Sequence, residues 1–420
     1  MNTARRYETS VVAILCLTWS VVNFETLGIN FLLPFIAPSL RLSNTQVGIL
    51  VSAFWIPFAV SSYLTGELTD RFGRRKLLLV YVLLLFAACS ILPGLTDSFA
   101  ALLATRLLMG LLEGPVLPLA QSIVALEVPS ERRAVSMGIV QVVGAGLMSG
   151  FIAPLLLVEL AVRYDWQLGF FVVAIPGALC ALLVALCIRD PLQQRSTHNE
   201  GRTTQKRSGA AIKEILGYRN IWLCPLLACL FVAHYVVGVS YLPLFLVQTR
   251  HFEPQRMSVL MSVLGIASVV MGLLVPALAD RVGRKTVGVV SSAFGVLCPL
   301  AALHYAGPWP VLGLLMFLGW APVGASTLYF ATIPSESVPA RAMSTAIGLT
   351  FAVGTLVGGA VAPTLAGWSA DRWGLSAAVW LQVAVAASMA ILSLGLRETM
   401  PARSAIPRPE TAELPSQGSR

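Results

Sequence analysis

Four ionisable residues lie inside long apolar stretches of this 420-residue chain, and their types and spacing could do chemistry: Glu25, Arg106, Glu113 and His234. A charged side chain at the centre of a bilayer costs on the order of 2.5–3.5 kcal/mol, so each of them needs a function or a partner. Burial disfavours an ionised carboxyl group, whereas a neighbouring arginine favours it. Glu25 and Glu113 are therefore candidates for binding and releasing a proton.

The spacing of three of these residues predicts their relative depths in the bilayer. Arg106 and Glu113 are two helical turns apart and share one helix face. A rise of about 1.5 Å per residue places Glu25, on a helix of opposite direction, at the depth of Arg106, so the two could pair, and it places Glu113 roughly 10 Å further toward the cytoplasm. Arg106 could hold a carboxylate ligand through two hydrogen bonds, or it could only neutralise the two glutamates. The alternative to proton binding is a static ion pair that fixes helix orientation.

The elements that must position these residues are membrane helices. Hydrophobic residues make up 56% of the chain and charged residues 12%, which leaves too little polar surface for soluble domains. Open sheets are excluded in a bilayer because every backbone polar group must be satisfied there. Each apolar stretch could cross about 30 Å of hydrocarbon as a helix. The predicted spans are 11–36, 46–66, 77–95, 99–121, 134–158, 166–188, 221–247, 258–279, 286–306, 309–333, 342–367 and 374–396.

The sequence is duplicated at a fixed interval. The segment from Asp70 to Arg74 returns as Asp280 to Arg284, 210 positions later, and Pro129 and Pro339 keep the same offset. Two parallel halves with a substrate site at their seam are a known construction of secondary transporters. We therefore predict six-helix domains at 1–189 and 220–400, a cytoplasmic linker at 190–219 and a disordered cytoplasmic tail at 401–420.

The basic residues fall mainly on one side of the predicted membrane. With both termini on the same side, twenty-three of the twenty-nine lysines and arginines lie there. This positive-inside bias predicts cytoplasmic termini and explains the net charge of +9 without a nucleic-acid partner. The seven cysteines lack metal-ligand spacing, and the sequence contains neither H-E-x-x-H nor G-x-S-x-G. We expect no metal, no cofactor and no enzymatic activity.

Further polar residues in the apolar spans are candidates for contact with a substrate. His234 precedes Tyr235, which the repeat aligns with Glu25, so His234 is predicted to face the seam. It could act as a ligand or proton-binding group, or it could be a hydrogen-bonded packing residue. The other candidate hydrogen-bonding residues are Asn23, Asn30, Tyr241 and Tyr329.

The duplicated segment resembles the signature of the major facilitator superfamily, and the resemblance covers essentially the whole chain. The family motif Gly-x-x-x-Asp-Arg-x-Gly-Arg is matched from Gly66 to Arg74 and, in shortened form, from Asp280 to Arg284. The resemblance implies an all-α membrane protein of twelve transmembrane helices in two pseudo-symmetric six-helix bundles. It also implies a cytoplasmic gate, whose residues would be Asp70, Arg71, Arg74, Glu127, Asp280, Arg281, Arg284 and Glu336. The alternative is that these charges only anchor the loops.

Within the superfamily, the chain is most similar to the anion:cation symporters, which take up organic acids with protons or sodium. Arg106 to Pro115 resembles their span-four signature, and Tyr241 to Leu246 resembles a stretch of their span seven. Their span-one Tyr-x-Asp-Arg aligns with Asn23 to Thr26, so a threonine stands where the family has its substrate-binding arginine.

These observations predict proton-coupled symport of a small organic anion, a carboxylate, by alternating access in the cell inner membrane. Because one chain carries both halves, a monomer should suffice. The alternative is a proton-coupled exporter of drugs or cationic compounds, since Glu25 without an adjacent arginine would suit a cation. Against it, span five has Gly144-Ala145-Gly146 where the superfamily's antiporters have a Gly-Pro pattern.

Overall fold

The computed structural model describes residues 3–72, 74–143, 146–189, 217–339 and 342–400, and these ranges contain helices and turns without a β-strand. The predicted linker falls outside the described residues from 190 to 216, and the predicted tail at 401–420 falls outside them entirely. The proposed domain boundaries therefore stay predictions.

Six membrane helices form the N-terminal half. They are α1 (Thr3–Ser39), α2 (Asn44–Phe72), α3 (Arg75–Cys89), α4 (Phe99–Glu113 and Val116–Glu127), α5 (Ser130–Gly138, Ile139–Val143, Gly146–Ile152 and Ala153–Arg163) and α6 (Trp166–Cys187). α4 is interrupted at Gly114-Pro115, because proline has no N–H for the helical ladder and its ring collides with the preceding turn. The two middle segments of α5 are π-helical, in the glycine-rich part of the span.

The C-terminal half repeats this arrangement. Its helices are α7 (Arg219–Leu244, with a π-helical turn at Phe245–Thr249), α8 (Pro254–Val282), α9 (Arg284–Phe294 and Leu297–His304), α10 (Trp309–Gly319, Pro322–Thr327, Leu328–Thr332 and Ile333–Glu336), α11 (Met343–Trp373) and α12 (Leu375–Ser393). Pro322 follows the break in α10, as Pro115 follows the break in α4.

Every predicted span corresponds to one of these helices, but several helices are longer than predicted. Eleven helices in the described ranges are long and apolar enough to cross a membrane, and α5 is interrupted by the undescribed positions 144–145. The predicted span 46–66 is part of Asn44–Phe72, and 342–367 is part of Met343–Trp373. An apolar run marks only the hydrocarbon crossing, whereas helical hydrogen bonding continues into the polar residues at either end.

The two ends of the bundle differ in how the halves meet. We call the end where α1 begins and α12 ends the terminal face, and the end where α2 begins and α11 ends the far face. At the far face α2 and α11 are in close contact, since a Cβ on Gly48 would lie 2.3 Å from the carbonyl oxygen of Pro363. α5 and α8 are equally close, with a Cβ on Gly265 2.1 Å from the backbone of Gly150.

Toward the terminal face, cavities separate the helices. Two cavities of about 580 and 570 Å³ share Phe58, Ser62 and Phe351 and lie between α2, α4, α5 and α11. We call these two cavities together the vestibule. A further cavity of about 710 Å³ lies between α1 and α5 at the same end. The helices of the two halves are therefore in close contact at the far face, and cavities lie between helices toward the terminal face.

Candidate functional site

Glu25 and Arg106 form an ion pair inside the helical bundle. The Arg106 Nη1 to Glu25 Oε1 distance is 3.4 Å, and the two residues are 2% and 1% exposed. α1 carries the glutamate and α4 the arginine. Gly110 allows α4 to lie against α2, because a Cβ there would come within 2.3 Å of the Phe54 carbonyl oxygen. The guanidinium carbon also lies 4.9 Å from the centre of the Phe54 ring.

Glu113 lies next to this pair. It is buried, interacts electrostatically with Glu25 and Arg106, and is hydrogen-bonded through Oε2 to the Thr26 hydroxyl. The Thr26 hydroxyl is also 3.0 Å from the Val22 carbonyl oxygen, one turn earlier in α1. The structure thus pairs Glu25 with Arg106, as their depth predicted. The carboxyl group of Glu113 lies beside this pair and not about 10 Å further toward the cytoplasm, because both side chains reach toward each other along the helix face, and Thr26 joins the cluster.

Three polar atoms of this cluster are buried without a hydrogen-bond partner: Glu25 Oε2, Arg106 Nε and Glu113 Oε1. Such atoms are uncommon in folded proteins, and they are expected where a ligand, water or proton completes the site. In the part of the chain that is described, no group of three or more histidines, cysteines, aspartates or glutamates could hold a metal ion.

A small cavity adjoins Arg106 at the seam between the halves. Its volume is about 20 Å³, enough for about one water molecule. The residues that line it come from α1, α2, α4 and α7: Thr26, Leu27, Asn30, Val51, Phe54, Trp55, Arg106, Tyr235, Val236 and Val239. A larger ligand could reach Arg106 only if these side chains moved apart.

The other predicted hydrogen-bonding residues have different environments. Asn23 donates to the Trp19 carbonyl oxygen of its own helix at 2.9 Å. Asn30 lines the cavity and accepts from Ser240 at 3.0 Å, a contact between positions related by the 210-residue repeat. The Tyr241 hydroxyl lies 3.1 Å from the Asn44 carbonyl oxygen and 3.0 Å from that of Pro363, at the far face.

Tyr329 and His234 lie within the C-terminal half. The Tyr329 hydroxyl bonds to the Gly288 carbonyl oxygen, Ser292 and Ser393 at 2.7–3.0 Å, so it joins α9, α10 and α12. The His234 ring packs against Trp320 with the ring centres 5.7 Å apart, and both its nitrogens are buried without a partner. Its neighbour Tyr235, and not His234, lines the cavity.

The second copy of the predicted gate is assembled within the C-terminal half. Arg284 Nη2 lies 3.0 Å from Asp280 Oδ1 and 3.2 Å from Glu336 Oε1. The Thr399 hydroxyl donates to the other Glu336 oxygen at 2.5 Å. The side chain of Arg281 is exposed beside this cluster.

The first copy is described only in part. Arg74 is exposed, and within the described part of the chain no ion pair joins it to Glu127, which lies beside the Tyr7 hydroxyl instead. The side chains of Asp70 and Arg71 lie outside the described residues. In this conformation the vestibule cavities lie beside α2 and α11, and the first copy of the gate stays a prediction.

Two acidic residues that belong to no sequence motif bind the N-terminal ends of helices. The Asp371 carboxylate, at the end of α11, accepts from the backbone N–H groups of Asn44 and Thr45 at 2.8 Å each and from the Thr45 hydroxyl at 2.5 Å. It thus caps α2 of the other half. Glu398 similarly accepts from the N–H groups of Arg284 and Lys285 at the start of α9. In sequence these residues look like ordinary loop charges, and only their distance from the capped helices shows their role.

The comparison with protein families agrees with this architecture. The family described as Major Facilitator Superfamily matches residues 11–358. The chain belongs to the Major Facilitator Superfamily. As in the predicted fold, its twelve helices form two pseudo-symmetric bundles, and the solved structures of the superfamily resemble it. One of them, a bacterial homologue of the human lysosomal transporter Spinster in an inward-facing and unoccupied conformation, aligns with a TM-score of 0.73 at 18% identity, covering 93% of this chain and 95% of that one.

Several superfamily transporters of bacteria are similar in sequence. A probable sulfoacetate transporter of Cupriavidus necator is 24% identical over 66% of this chain and 66% of its own length. The cis,cis-muconate transport protein of Acinetobacter baylyi is 27% identical over 82% of this chain and 83% of its own length. The multidrug resistance protein MdtG of Enterobacter lignolyticus is 28% identical over 67% of this chain and 66% of its own length. The chain is accordingly a multi-pass membrane transporter and not an enzyme.

Proposed function

We propose that this superfamily member carries a small organic anion together with protons across the cell inner membrane, with both termini in the cytoplasm. Relatives named for sulfoacetate and muconate transport support an organic anion. The excess of lysine and arginine on the side of the termini supports the orientation. A single chain contains both halves and the seam between them, so it functions as a monomer.

The observation that carries this proposal is the buried Arg106 beside a cavity at the seam. Its guanidinium is held by one hydrogen bond to Glu25 at 3.4 Å, and its Nε has no partner. A carboxylate can accept two parallel hydrogen bonds from a guanidinium, which is a stronger arrangement than this single long contact. The substrate carboxylate would therefore displace Glu25 from Arg106.

Proton coupling follows from the charges of the same cluster. With Glu25 and Glu113 both ionised, two carboxylates would face one guanidinium and leave one buried negative charge uncompensated, which is unfavourable. One bound proton removes that charge. When a substrate carboxylate replaces Glu25 on Arg106, a second negative charge enters the site, and a further proton on Glu25 keeps it neutral. Substrate and proton would therefore bind together.

The Thr26 hydroxyl indicates where the first proton resides. A hydroxyl has one hydrogen to donate, yet this one is within hydrogen-bond distance of both Glu113 and the Val22 carbonyl oxygen. Both bonds form at once if protonated Glu113 donates to Thr26 and Thr26 donates to Val22. We assign the resident proton to Glu113.

The arrangement of the halves suits alternating access. The far face is closed by α2 against α11 and by α5 against α8, while the vestibule opens toward the terminal face. In the proposed orientation this is the state that releases substrate to the cytoplasm. Rocking of the halves about Arg106 would open the far face and close the vestibule.

The experiment is uptake into proteoliposomes of radiolabelled organic acids, sugars and cations under an imposed proton gradient. We expect gradient-driven accumulation of an acid by the wild type, with external alkalinisation when that acid is added without a gradient. Arg106→Ala should abolish accumulation, since the carboxylate loses its partner. Glu25→Gln should abolish the gradient-driven part and leave exchange of labelled for unlabelled acid, because no proton then binds with the substrate, whereas Glu113→Gln mimics protonated Glu113 and should keep both.

Glu159→Gln is the matched control, because Glu159 is a partly exposed glutamate of α5 that pairs with Arg163, away from the Arg106 cluster. It should transport like the wild type. Full gradient-driven accumulation by Glu25→Gln would exclude Glu25 as the coupling residue. Failure of every acid to accumulate would refute the proposed function.

A second candidate, proton-driven export of cationic compounds, is favoured by one feature. Glu25 Oε2 and Glu113 Oε1 are buried carboxyl oxygens without partners and could face a cation. The similarity to the multidrug resistance protein MdtG supports it as well. The cation arm of the same experiment decides, because extrusion of a cation without acid uptake would establish the exporter.

A further inference from the structure

The cavity beside Arg106 offers few groups that could hydrogen-bond a ligand. Of its polar lining residues, Thr26 is bonded to Glu113 and Asn30 to Ser240, which leaves Arg106, the Tyr235 hydroxyl and the Trp55 indole N–H. Arg106 is the single lysine or arginine that is buried among the described residues. The site therefore provides one strong anchor for one carboxylate and little for additional polar groups.

The wall of the cavity formed by α2 is aromatic. Phe54 and Trp55 line the cavity, with ring centres 5.5 Å apart in an edge-to-face arrangement. Phe58 continues this wall to the vestibule, at 5.4 Å from Phe54 and 5.9 Å from Trp55. One side of the route between the vestibule and Arg106 thus consists of three packed rings.

The opposite wall, from the C-terminal half, is aromatic as well. Tyr235 lines the cavity and stacks on Phe231 with ring centres 6.1 Å apart. Phe231 contacts Phe330 at 6.2 Å, and Phe330 contacts Phe351 at 5.5 Å. Phe351 lines the vestibule opposite Phe58. One row of ring contacts from each half thus connects the cavity with the vestibule.

We propose that the transported anion is an aromatic monocarboxylate, with its carboxylate on Arg106 and its ring between Trp55 and Tyr235. This inference rests on the proposed function and names its substrate class. Because the cavity now holds about one water molecule, the two aromatic walls must part, and the ring of the substrate then replaces the contacts they lose. Offset and edge-to-face ring contacts of this kind favour aromatic over saturated bodies.

The same lining excludes two other kinds of acid. A sugar acid would bring several hydroxyl groups into a site where only the Tyr235 hydroxyl and the Trp55 indole N–H remain to pair them, and buried unpaired hydroxyls are strongly disfavoured. A dicarboxylate would bring a second charge without a second cation, so we expect this chain to differ in substrate from the relative named for muconate, which is a dicarboxylate. Selectivity for an aromatic monocarboxylate would therefore come from the small number of hydrogen-bonding and cationic groups in the site as much as from its aromatic rings.

The test measures binding of five acids to the purified full-length protein in nanodiscs by isothermal titration calorimetry. Benzoate and phenylacetate represent the proposed class, cyclohexanecarboxylate has a saturated ring, gluconate is a polyhydroxy acid, and terephthalate is a dicarboxylate. We expect one or both aromatic monocarboxylates to bind at least tenfold more tightly than the other three.

Variants separate ring contacts from general damage to the fold. Tyr235→Leu and Trp55→Leu should each reduce the preference for the aromatic acid over cyclohexanecarboxylate about tenfold, whereas Tyr235→Phe should keep it. Trp380→Leu is the control, because Trp380 is a largely exposed tryptophan of α12. A fold defect would weaken all acids alike and leave the ratio unchanged, so an unchanged ratio in both leucine variants overturns the role of the rings.

The outcomes also distinguish this inference from the function on which it rests. Tighter binding of gluconate, terephthalate or cyclohexanecarboxylate overturns the aromatic class and leaves an organic-anion transporter. Absence of binding by all five acids overturns the aromatic class, and acid uptake in the proteoliposome experiment then shows whether the anion function survives.

Discussion

Thr26 is the residue at which this chain departs from the symporters it resembles, and its hydroxyl gives a direct test of the resident proton. If protonated Glu113 donates to Thr26, Thr26→Val leaves that donor without an acceptor, at a cost of about 1–3 kcal/mol. Half-maximal uptake should then require a roughly tenfold higher proton concentration, that is, a pH about one unit lower, since 1.36 kcal/mol corresponds to about one pH unit. The measurement is the pH at which initial uptake is half-maximal.

Thr26→Ser keeps the hydroxyl and should retain the pH dependence of the wild type. The opposite shift in Thr26→Val, toward uptake at a higher pH, would mean that Thr26 donates to an ionised Glu113. The proton would then have to reside elsewhere in the cluster.

The charged residues of the site could be predicted from the free-energy cost of burying a charge in the bilayer. The hydrogen-bond partners of the site residues could not be predicted. Glu25, Arg106 and Glu113 come together because each is too expensive to bury alone. Tyr329 is a plausible substrate ligand in sequence, but its hydroxyl is saturated by groups from α9, α10 and α12. Such partners come from distant positions, and no local pattern reveals them.

Among the elements, α8 provides a matched pair of glycines for testing helix approach. A Cβ on Gly265 would meet the Gly150 backbone of α5 at 2.1 Å, whereas a Cβ on Gly272, two turns later, has nothing within 4 Å. Gly265→Ala should therefore force the halves apart and cost about 1–3 kcal/mol, as overpacking does. We expect a lower Tm of the purified protein and slower transport.

Gly272→Ala should leave Tm unchanged or raise it slightly, because alanine favours a helix by up to about 1 kcal/mol over glycine. Equal effects of the two substitutions would show that the contact between α5 and α8 is not tight in the membrane. Helix propensity alone cannot separate the two variants, since both sites are helical.

The helices themselves were largely predictable, because bilayer thickness fixes the length of an apolar run and the repeat fixes their number. The breaks were less predictable. Pro115 and Pro322 follow the interruptions of α4 and α10, yet Pro57 lies inside an unbroken α2. Whether a proline interrupts a helix depends on how neighbouring helices satisfy the freed carbonyl group, which is a property of the packed bundle.

For the whole molecule, closure of the far face depends on contacts between the halves. Asp371 contributes several hydrogen bonds to these contacts through a single carboxylate. Its carboxylate accepts three hydrogen bonds at 2.5–2.8 Å from the first turn of α2, where the helix dipole also favours a negative charge. Rocking to the opposite state must break all three. Asp371 should therefore set the balance between the two conformations as well as hold one of them together.

Asp371→Asn keeps the shape but removes the charge and turns one acceptor into a donor that faces backbone N–H groups. Hydrogen bonds to a charged group contribute about 1.5–3 kcal/mol, so the closed far face should lose at least tenfold in population relative to the open one. Val51→Cys, which lines the cavity at the seam, reports this opening in a cysteine-free background. Its rate of modification by a membrane-impermeant thiol reagent added at the far face should rise about tenfold.

Asp165→Asn serves as the control, because Asp165 precedes α6 at the same face and makes no capping hydrogen bond. It should leave the modification rate of Val51→Cys unchanged. Substrate uptake adds a second criterion: a transporter limited by opening of the far face should become faster in Asp371→Asn, and one limited by its closure should become slower. An unchanged modification rate would mean that the glycine contacts of α2 with α11 and of α5 with α8 hold the far face closed without Asp371.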